Sequence, residues 1–299
     1  MTDHEAEWAD PWEHARLLSD KARNDVLIKL LEEHAPGAVV VEVGCGTGVW
    51  SVLAARLGAR RVIALEPSDL WTDARELVAE NGLEHIVTVL PIPIGDLTAD
   101  RLPDNWQGAD LIFSELLNAD PLAEGIVSAS AAARELLADN GVLAPHQLDL
   151  HLALAHTEAH RDLSGAQRQL DLLADRFDLD LTSAAEVLEA AEIEPFVSPA
   201  ARLVSEVRTV ATVDLLQGGP PPERCTASFQ ARQEATGAAL WWTAHYGPNL
   251  RMTNAPGTIN HWGQLVCAWP RPVPAGPVTV VVELEDDTAR LLPADDTGR

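Results

Sequence analysis

Apolar residues recur near helical spacing from Glu13 onward, at Ala15, Leu17, Leu18, Ala22, Val26, Leu27, Leu30 and Leu31. The first thirty residues therefore read as helix, stopped by Pro36-Gly37. The period then changes. Ala38-Val39-Val40-Val41-Glu42-Val43 is a short β-branched run ending at Gly44, the pattern of a buried parallel strand. A helix over 49–57, a strand over 61–66 and a helix over 72–81 follow, the helices closed by Gly58 and Gly82. Strands over 86–90 and 110–113, a helix over 125–137 and a strand through Leu143 complete the series. Such alternation predicts a doubly wound, Rossmann-like α/β sheet running to about Pro145.

Beyond Pro145 the alternation of strand and helix stops. Leu148, Leu150, Leu152 and Leu154 alternate with Asp149, His151 and Ala153, the period of a half-buried antiparallel strand. Further strands are expected over 207–215, 226–232, 238–246, 264–269 and 278–284, giving an antiparallel β domain. Helical spacing over Gln167 to Ala191 interrupts it.

Composition narrows the function classes. The 299 residues carry 46 acidic and 21 basic side chains, a formal charge of −25, which disfavours duplex nucleic acid. Two explanations stand: a surface kept acidic for solubility, or attraction of a cationic partner. A 46% hydrophobic content excludes a disordered acidic tail. No apolar run is long enough for a membrane span, and the acidic start is unlike a signal peptide. Only Lys21 and Lys29 are lysines, a bias that points to a GC-rich, bacterial coding sequence. Three dispersed cysteines, Cys45, Cys225 and Cys267, fit a reducing cytoplasm, and no His or Cys spacing suggests a metal site.

Candidate chemistry lies at two strand ends. Gly44-Cys45-Gly46-Thr47-Gly48 stands where the first strand turns into a helix, and Glu66 ends the next strand. Glycines let a backbone approach a ligand closely, and a carboxylate in that place can accept both hydroxyls of a ribose. The combination resembles class I methyltransferases that bind S-adenosylmethionine. Glu115 follows the strand over 110–113, and Glu124 lies nine residues on, across a loop with Asn118 and Pro121. Two carboxylates on one loop can close around a cation; they can equally be a solvated loop residue and a helix N-terminal charge.

Ser114-Glu115 with Glu124 resembles the double-Glu loop of the protein arginine methyltransferase family. Asn260-His261-Trp262 is similar to that family's Thr-His-Trp loop, and Trp8-Ala9-Asp10 with His14, Asp20 and Arg23 to its cofactor-covering helix. The resemblance implies N-terminal helices over 1–35, a cofactor-binding domain over 36–146 and a β-barrel domain over 147–299. It also implies a homodimer through a helical arm at about 166–198. By the same resemblance, Glu115 and Glu124 would clamp a substrate guanidinium, Arg23 would pair with the carboxylate of the cofactor's methionine moiety, and Glu66 would hold the ribose. His14 and the glycines would complete the cofactor site, with Asp96 near the adenine. His261 is expected beside the clamp and paired with Asp20; as bland alternatives, His261 is a packed residue and Asp20 a solvent-facing one.

The sequence departs from the family inside the substrate pocket. Leu117 stands in place of a Met, Trp8 in place of a Tyr, and the stretch with Asn118 lacks the family's aromatic and glycine positions; Trp262 is retained. The expected activity is S-adenosylmethionine-dependent N-methylation of a guanidino nitrogen, with free L-arginine or another small guanidino compound slightly favoured over arginine in a protein. A non-enzymatic arginine-binding relic is the remaining alternative.

Overall fold

The computed structural model describes residues 11–102, 106–159, 161–189, 195–219, 221–285 and 288–294. Trp8, with Ala9 and Asp10, lies outside the described residues.

The expected single N-terminal helix is two: α1 (Pro11–Ser19) and α2 (Lys21–His34). Asp20 separates them. Its backbone is extended and its carboxylate accepts the Arg23 N–H, a strong cap that starts a new helix where no Pro or Gly marks a break. Helix α2 buries Arg23, Val26, Leu27, Leu30 and Leu31.

The α/β sheet consists of β1 (Val39–Val43), β2 (Arg61–Leu65), β3 (Val87–Leu90), β4 (Ala109–Ser114) and β5 (Leu137–Ala144). All pairs are parallel, in the order β3-β2-β1-β4-β5. Helices α3 (Val49–Arg56), α4 (Trp71–Glu80) and α5 (Ile126–Arg134) connect them, each within a few residues of its predicted span. Strand order reverses between β1 and β4, and open α/β sheets bind ligands at the carboxyl ends beside such a reversal. Here Val43 pairs with both Leu65 and Ser114, so Gly44, Glu66 and Glu115 each leave the sheet at the same level.

The second half is antiparallel. Its strands are β6 (Gln147–His156), β7 (Phe196–Ser198), β8 (Arg202–Leu203), β9 (Arg208–Asp214) and β10 (Arg224–Ala231). They continue with β11 (Ala235–Gly247), β12 (Leu250–Thr253), β13 (Gln264–Val273), β14 (Gly276–Glu285) and β15 (Thr288–Pro293). A seven-stranded sheet runs β7-β13-β11-β6-β8, with β9 on β6 and β12 on β11. A three-stranded sheet runs β10-β14-β15. Strand pairing does not join the two sheets into a closed barrel among the described residues.

On β6, Leu148, Leu150, Leu152 and Leu154 are buried as the alternation predicts. Ala153 and Ala155 are buried as well, because the opposite face packs a small cluster with Ala239, Trp241 and Val266. The helical excursion is also two helices, α6 (Arg161–Phe177) and α7 (Thr182–Glu189). Asp178 between them has a φ of 50°, and Asp180 Oδ1 accepts the Thr182 N–H. Strands β7, β8, β12 and β15 were not predicted.

Candidate active site

The glycine loop has the backbone that only glycine adopts readily. Gly44, Gly46 and Gly48 all have φ between 53° and 80°. A Cβ on Gly44 would lie 2.9 Å from Leu116, and one on Gly48 would lie 3.1 Å from the Ala74 backbone. His14 reaches this loop from α1, its Cε1 placed 3.1 Å from where a Gly46 side chain would begin.

Glu66 is buried and bound to the loop. Its Oε2 accepts the Gly46 N–H at 2.7 Å, and its Oε1 accepts both the N–H and the hydroxyl of Ser68 at 2.9 and 2.6 Å. These occupy three of the roughly four lone-pair positions of a carboxylate, so a bound diol would displace the Ser68 hydroxyl. Behind the loop, Glu42 is fully buried and accepts the Ser51 hydroxyl; burial pushes its carboxyl up to about 8. Asp96 lies exposed in a short helical turn over Ile94–Asp96.

Arg23 joins the N-terminal helices to the double-Glu loop. Its Nε lies 2.5 Å from Glu115 Oε2, with both side chains 8% exposed. Glu115 Oε1 is buried and has no hydrogen-bond partner among the described residues. Burial raises the Glu115 carboxyl above the usual carboxylate range, and the Arg23 charge opposes the rise. Burial raises Glu124 further, with Glu115's negative charge adding to it. Two carboxyls that resist ionisation side by side, next to an oxygen lacking a partner, favour a cationic ligand.

His261 arrives from the β domain and meets Asp20. The Asp20 Oδ2 accepts the His261 backbone N–H at 3.0 Å and lies 2.9 Å from Nδ1. Both side chains are buried. Asp20 is therefore a buried cap and pairing group, and the solvent-facing alternative is wrong. Burial lowers the imidazole below its ordinary value, partly offset by the Asp20 bond, so at neutral pH it is neutral. With Nδ1–H donated to Asp20, the lone pair sits on Nε2. Asn260 secures its own turn, accepting the Gly263 N–H at 2.9 Å and donating to Thr258.

Leu117 is buried in the loop between Glu115 and Glu124, and Trp262 is buried beside His261. Asn118 contributes its backbone instead of a free side chain: its Oδ1 accepts the Ala119 N–H, and its carbonyl accepts the indole N–H of Trp242. Sequence reasoning missed Trp242, Ser68 and Ser51 altogether. A solitary buried tyrosine, Tyr246, was a usable signal, since a buried phenol needs a partner; its hydroxyl donates to the Ser114 carbonyl. Among the described residues no His, Cys, Asp and Glu cluster could hold a metal ion.

The parallel sheet, glycine loop and strand-end carboxylates define a class I, S-adenosylmethionine-dependent methyltransferase. The residues fit that cofactor, since the loop exposes close-approach backbone and Arg23 and Glu66 offer complementary charges. A family model described as Ribosomal protein L11 methyltransferase (PrmA) matches residues 25–144, the helix α2 and sheet region. The arginine N(omega)-methyltransferase of Streptomyces achromogenes subsp. streptozoticus is 29% identical over 269 residues, 87% of this chain and 72% of that protein. The probable protein arginine N-methyltransferase 6 of Arabidopsis thaliana is 32% identical over 152 residues, 49% of this chain and only 34% of that longer protein. Among solved structures, Arabidopsis thaliana protein arginine methyltransferase 10 shares the fold at a TM-score of 0.76, with 22% identity over 93% of this chain and 89% of that one. The Trypanosoma brucei PRMT1 enzyme-prozyme heterotetrameric complex with AdoHcy aligns at 0.72, with 21% identity over 92% of this chain and 88% of that one. The chain is thus similar over most of its length to an arginine N-methyltransferase and shares the fold of protein arginine methyltransferases.

Proposed function

We propose that the protein transfers a methyl group from S-adenosylmethionine to a guanidino nitrogen of free L-arginine or a similarly small guanidino compound. One observation carries the guanidinium: Glu115 and Glu124 share a loop, both are raised by burial, and Glu115 keeps an unpartnered buried oxygen. A free guanidinium is protonated at neutral pH and a poor nucleophile. Glu115 and Glu124 hold it by charge-assisted hydrogen bonds and concentrate its positive charge away from the attacking nitrogen. Arg23, His14, Glu66 and the glycines at 44, 46 and 48 hold the cofactor, which supplies an electrophilic methyl on a sulfonium. The proton released on transfer leaves to a clamp glutamate or to Nε2 of His261, whose imidazole Asp20 orients.

The small substrate draws support from the Streptomyces relative, named for arginine itself and matched over 87% of this chain. Leu117 and the rest of its loop, which differ from the family, would shape the substrate pocket while Glu115 and Glu124 are kept. The Arabidopsis relative is named for protein arginine and favours the second reading, in which the guanidinium belongs to a peptide. The protein would act as a homodimer, because Leu172, Leu173, Phe177 and Leu179 on and beside α6 are exposed apolar residues. Three free cysteines support a reducing, cytoplasmic setting.

Incubation with labelled cofactor and either free arginine or an arginine-rich peptide tests the reading. Label in free arginine is expected. Label in the peptide alone overturns the small-substrate assignment, and label in neither overturns the guanidino acceptor.

A further inference from the structure

Strand β11 holds the candidate site from behind. The Tyr246 hydroxyl donates to the Ser114 carbonyl at 3.0 Å, bridging 132 residues of chain. The Trp242 indole N–H donates to the Asn118 carbonyl at 2.7 Å, bridging 124. Trp242 also donates its backbone N–H to Asn254 Oδ1 at 2.8 Å, and Asn254 Nδ2 donates to the Gly263 carbonyl at 2.6 Å. Its ring meets Trp262 edge-on at 4.8 Å. Both aromatic side chains are fully buried. One strand thus grips the start of the double-Glu loop, its middle, and the loop that carries His261.

We propose that Tyr246 and Trp242 are positioning residues for methyl transfer, their buried O–H and N–H fixing the Ser114 and Asn118 carbonyls and thereby the placement of Glu115 and Glu124. The proposal rests on the reading of those glutamates as a guanidinium clamp. Glu115 is the next residue after Ser114, so any rotation of the Ser114 peptide swings the carboxylate that Arg23 and the substrate share. Loss of either donor leaves a buried carbonyl short of a partner, and the backbone shifts to recover one. Displacement of a catalytic group by about 1 Å can cost on the order of 100-fold in rate. Neither aromatic touches the reacting atoms in this scheme; each acts through the loop it holds.

Tyr246→Phe removes one oxygen and keeps the ring packing. The expected result is a fall in kcat of roughly 10- to 100-fold, with the dissociation constant for S-adenosylmethionine within about twofold of the parent. Amide hydrogen exchange should rise over 114–124 and stay unchanged over 39–48. Trp242→Phe should produce the same split and also raise exchange over 254–263. Parent-like kcat in Tyr246→Phe overturns the proposal, as does a kcat loss matched by an equal loss of cofactor affinity. Exchange needs no substrate: unchanged exchange over 114–124 overturns the proposal even if the parent methylates no guanidine, an outcome that by itself overturns only the clamp.

Discussion

Replacing Arg23 by Met removes the cation that holds Glu115 while keeping most of the stem that packs in α2. The pair is 2.5 Å apart with both side chains 8% exposed, so solvent screens it little. Removing one partner of a buried pair costs about 3–5 kcal/mol, because the survivor is left as an uncompensated charge. The guanidinium also sits 5.8 Å from the Trp50 ring centroid, which adds roughly 0.5–1 kcal/mol. The loss depends on pH. Burial raises the Glu115 carboxyl and Arg23 opposes that, so the variant's carboxyl rises further. A carboxyl raised in the folded state contributes stability that is complete below its unfolded value of about 4.5 and is lost as pH rises through the folded value. Arg23→Met should therefore be about 3–5 kcal/mol less stable than the parent near pH 8, and the gap should narrow near pH 5.5 as Glu115 takes up a proton. Urea unfolding at the two pH values measures both. A loss below about 1 kcal/mol near pH 8, or an equal loss at both, refutes the account of this pair.

Glu124 is raised well above its ordinary value, so binding of a guanidinium near pH 7 should expel a proton from it. Calorimetry in buffers of different ionisation enthalpy should show that release, and Glu124→Gln should abolish both the release and turnover; buffer-independent heats in the parent would count against it. Asp20→Asn keeps a good helix cap but withdraws the charge that supports His261, so the acid limb of kcat should move to lower pH with a reduced plateau. An unmoved limb would leave His261 without a role in proton transfer. Glu42 is pushed up to about 8, so its stabilising contribution is whole below about 4.5 and is lost as pH rises through about 8. Glu42→Gln retains an acceptor for Ser51 and should gain on the parent by of order 3 kcal/mol between about pH 5 and 9; parallel stability curves would show that Glu42 does not hold a proton.

The parallel sheet was legible because strands buried on both faces write themselves as unbroken apolar runs such as Val39–Val43. The glycine loop was legible because left-handed backbone demands glycine. Breaks made by side-chain caps were not: Asp20 starts α2 inside an uninterrupted apolar period, and Asp180 does the same before α7. Strands β7, β8 and β12 have three, two and four residues, too few for a period to register. Glu115, Glu124, Asp20 and His261 were singled out by resemblance to a family's motifs, spacing alone leaving the two glutamates undecided, and the structure joins Asp20 to His261. Trp242 escaped because a hydrogen bond bridging 124 residues leaves no trace in local spacing.

In the proposed clamp Glu115 would serve two cations with two oxygens. Oε2 belongs to Arg23 and Oε1 is buried without a partner among the described residues, so a guanidinium held as proposed would meet Glu115 through one oxygen. Glu124, raised further by burial and by the charge of Glu115, would supply the remaining contacts once it loses its proton. The proposed clamp would therefore be asymmetric: Arg23 opposes the rise that burial imposes on Glu115, whereas Glu124, raised well above its ordinary value, would give up its proton to an arriving cation. The net charge of −25 would not create such recognition, because the two carboxyls of the proposed clamp are buried and answer to Arg23 and to each other. The surface acid can speed the approach of a cation through water, and it is screened over about 10 Å in ordinary salt. Raising the ionic strength should accordingly slow arginine capture modestly and leave the pH at which Glu124 releases its proton nearly unmoved.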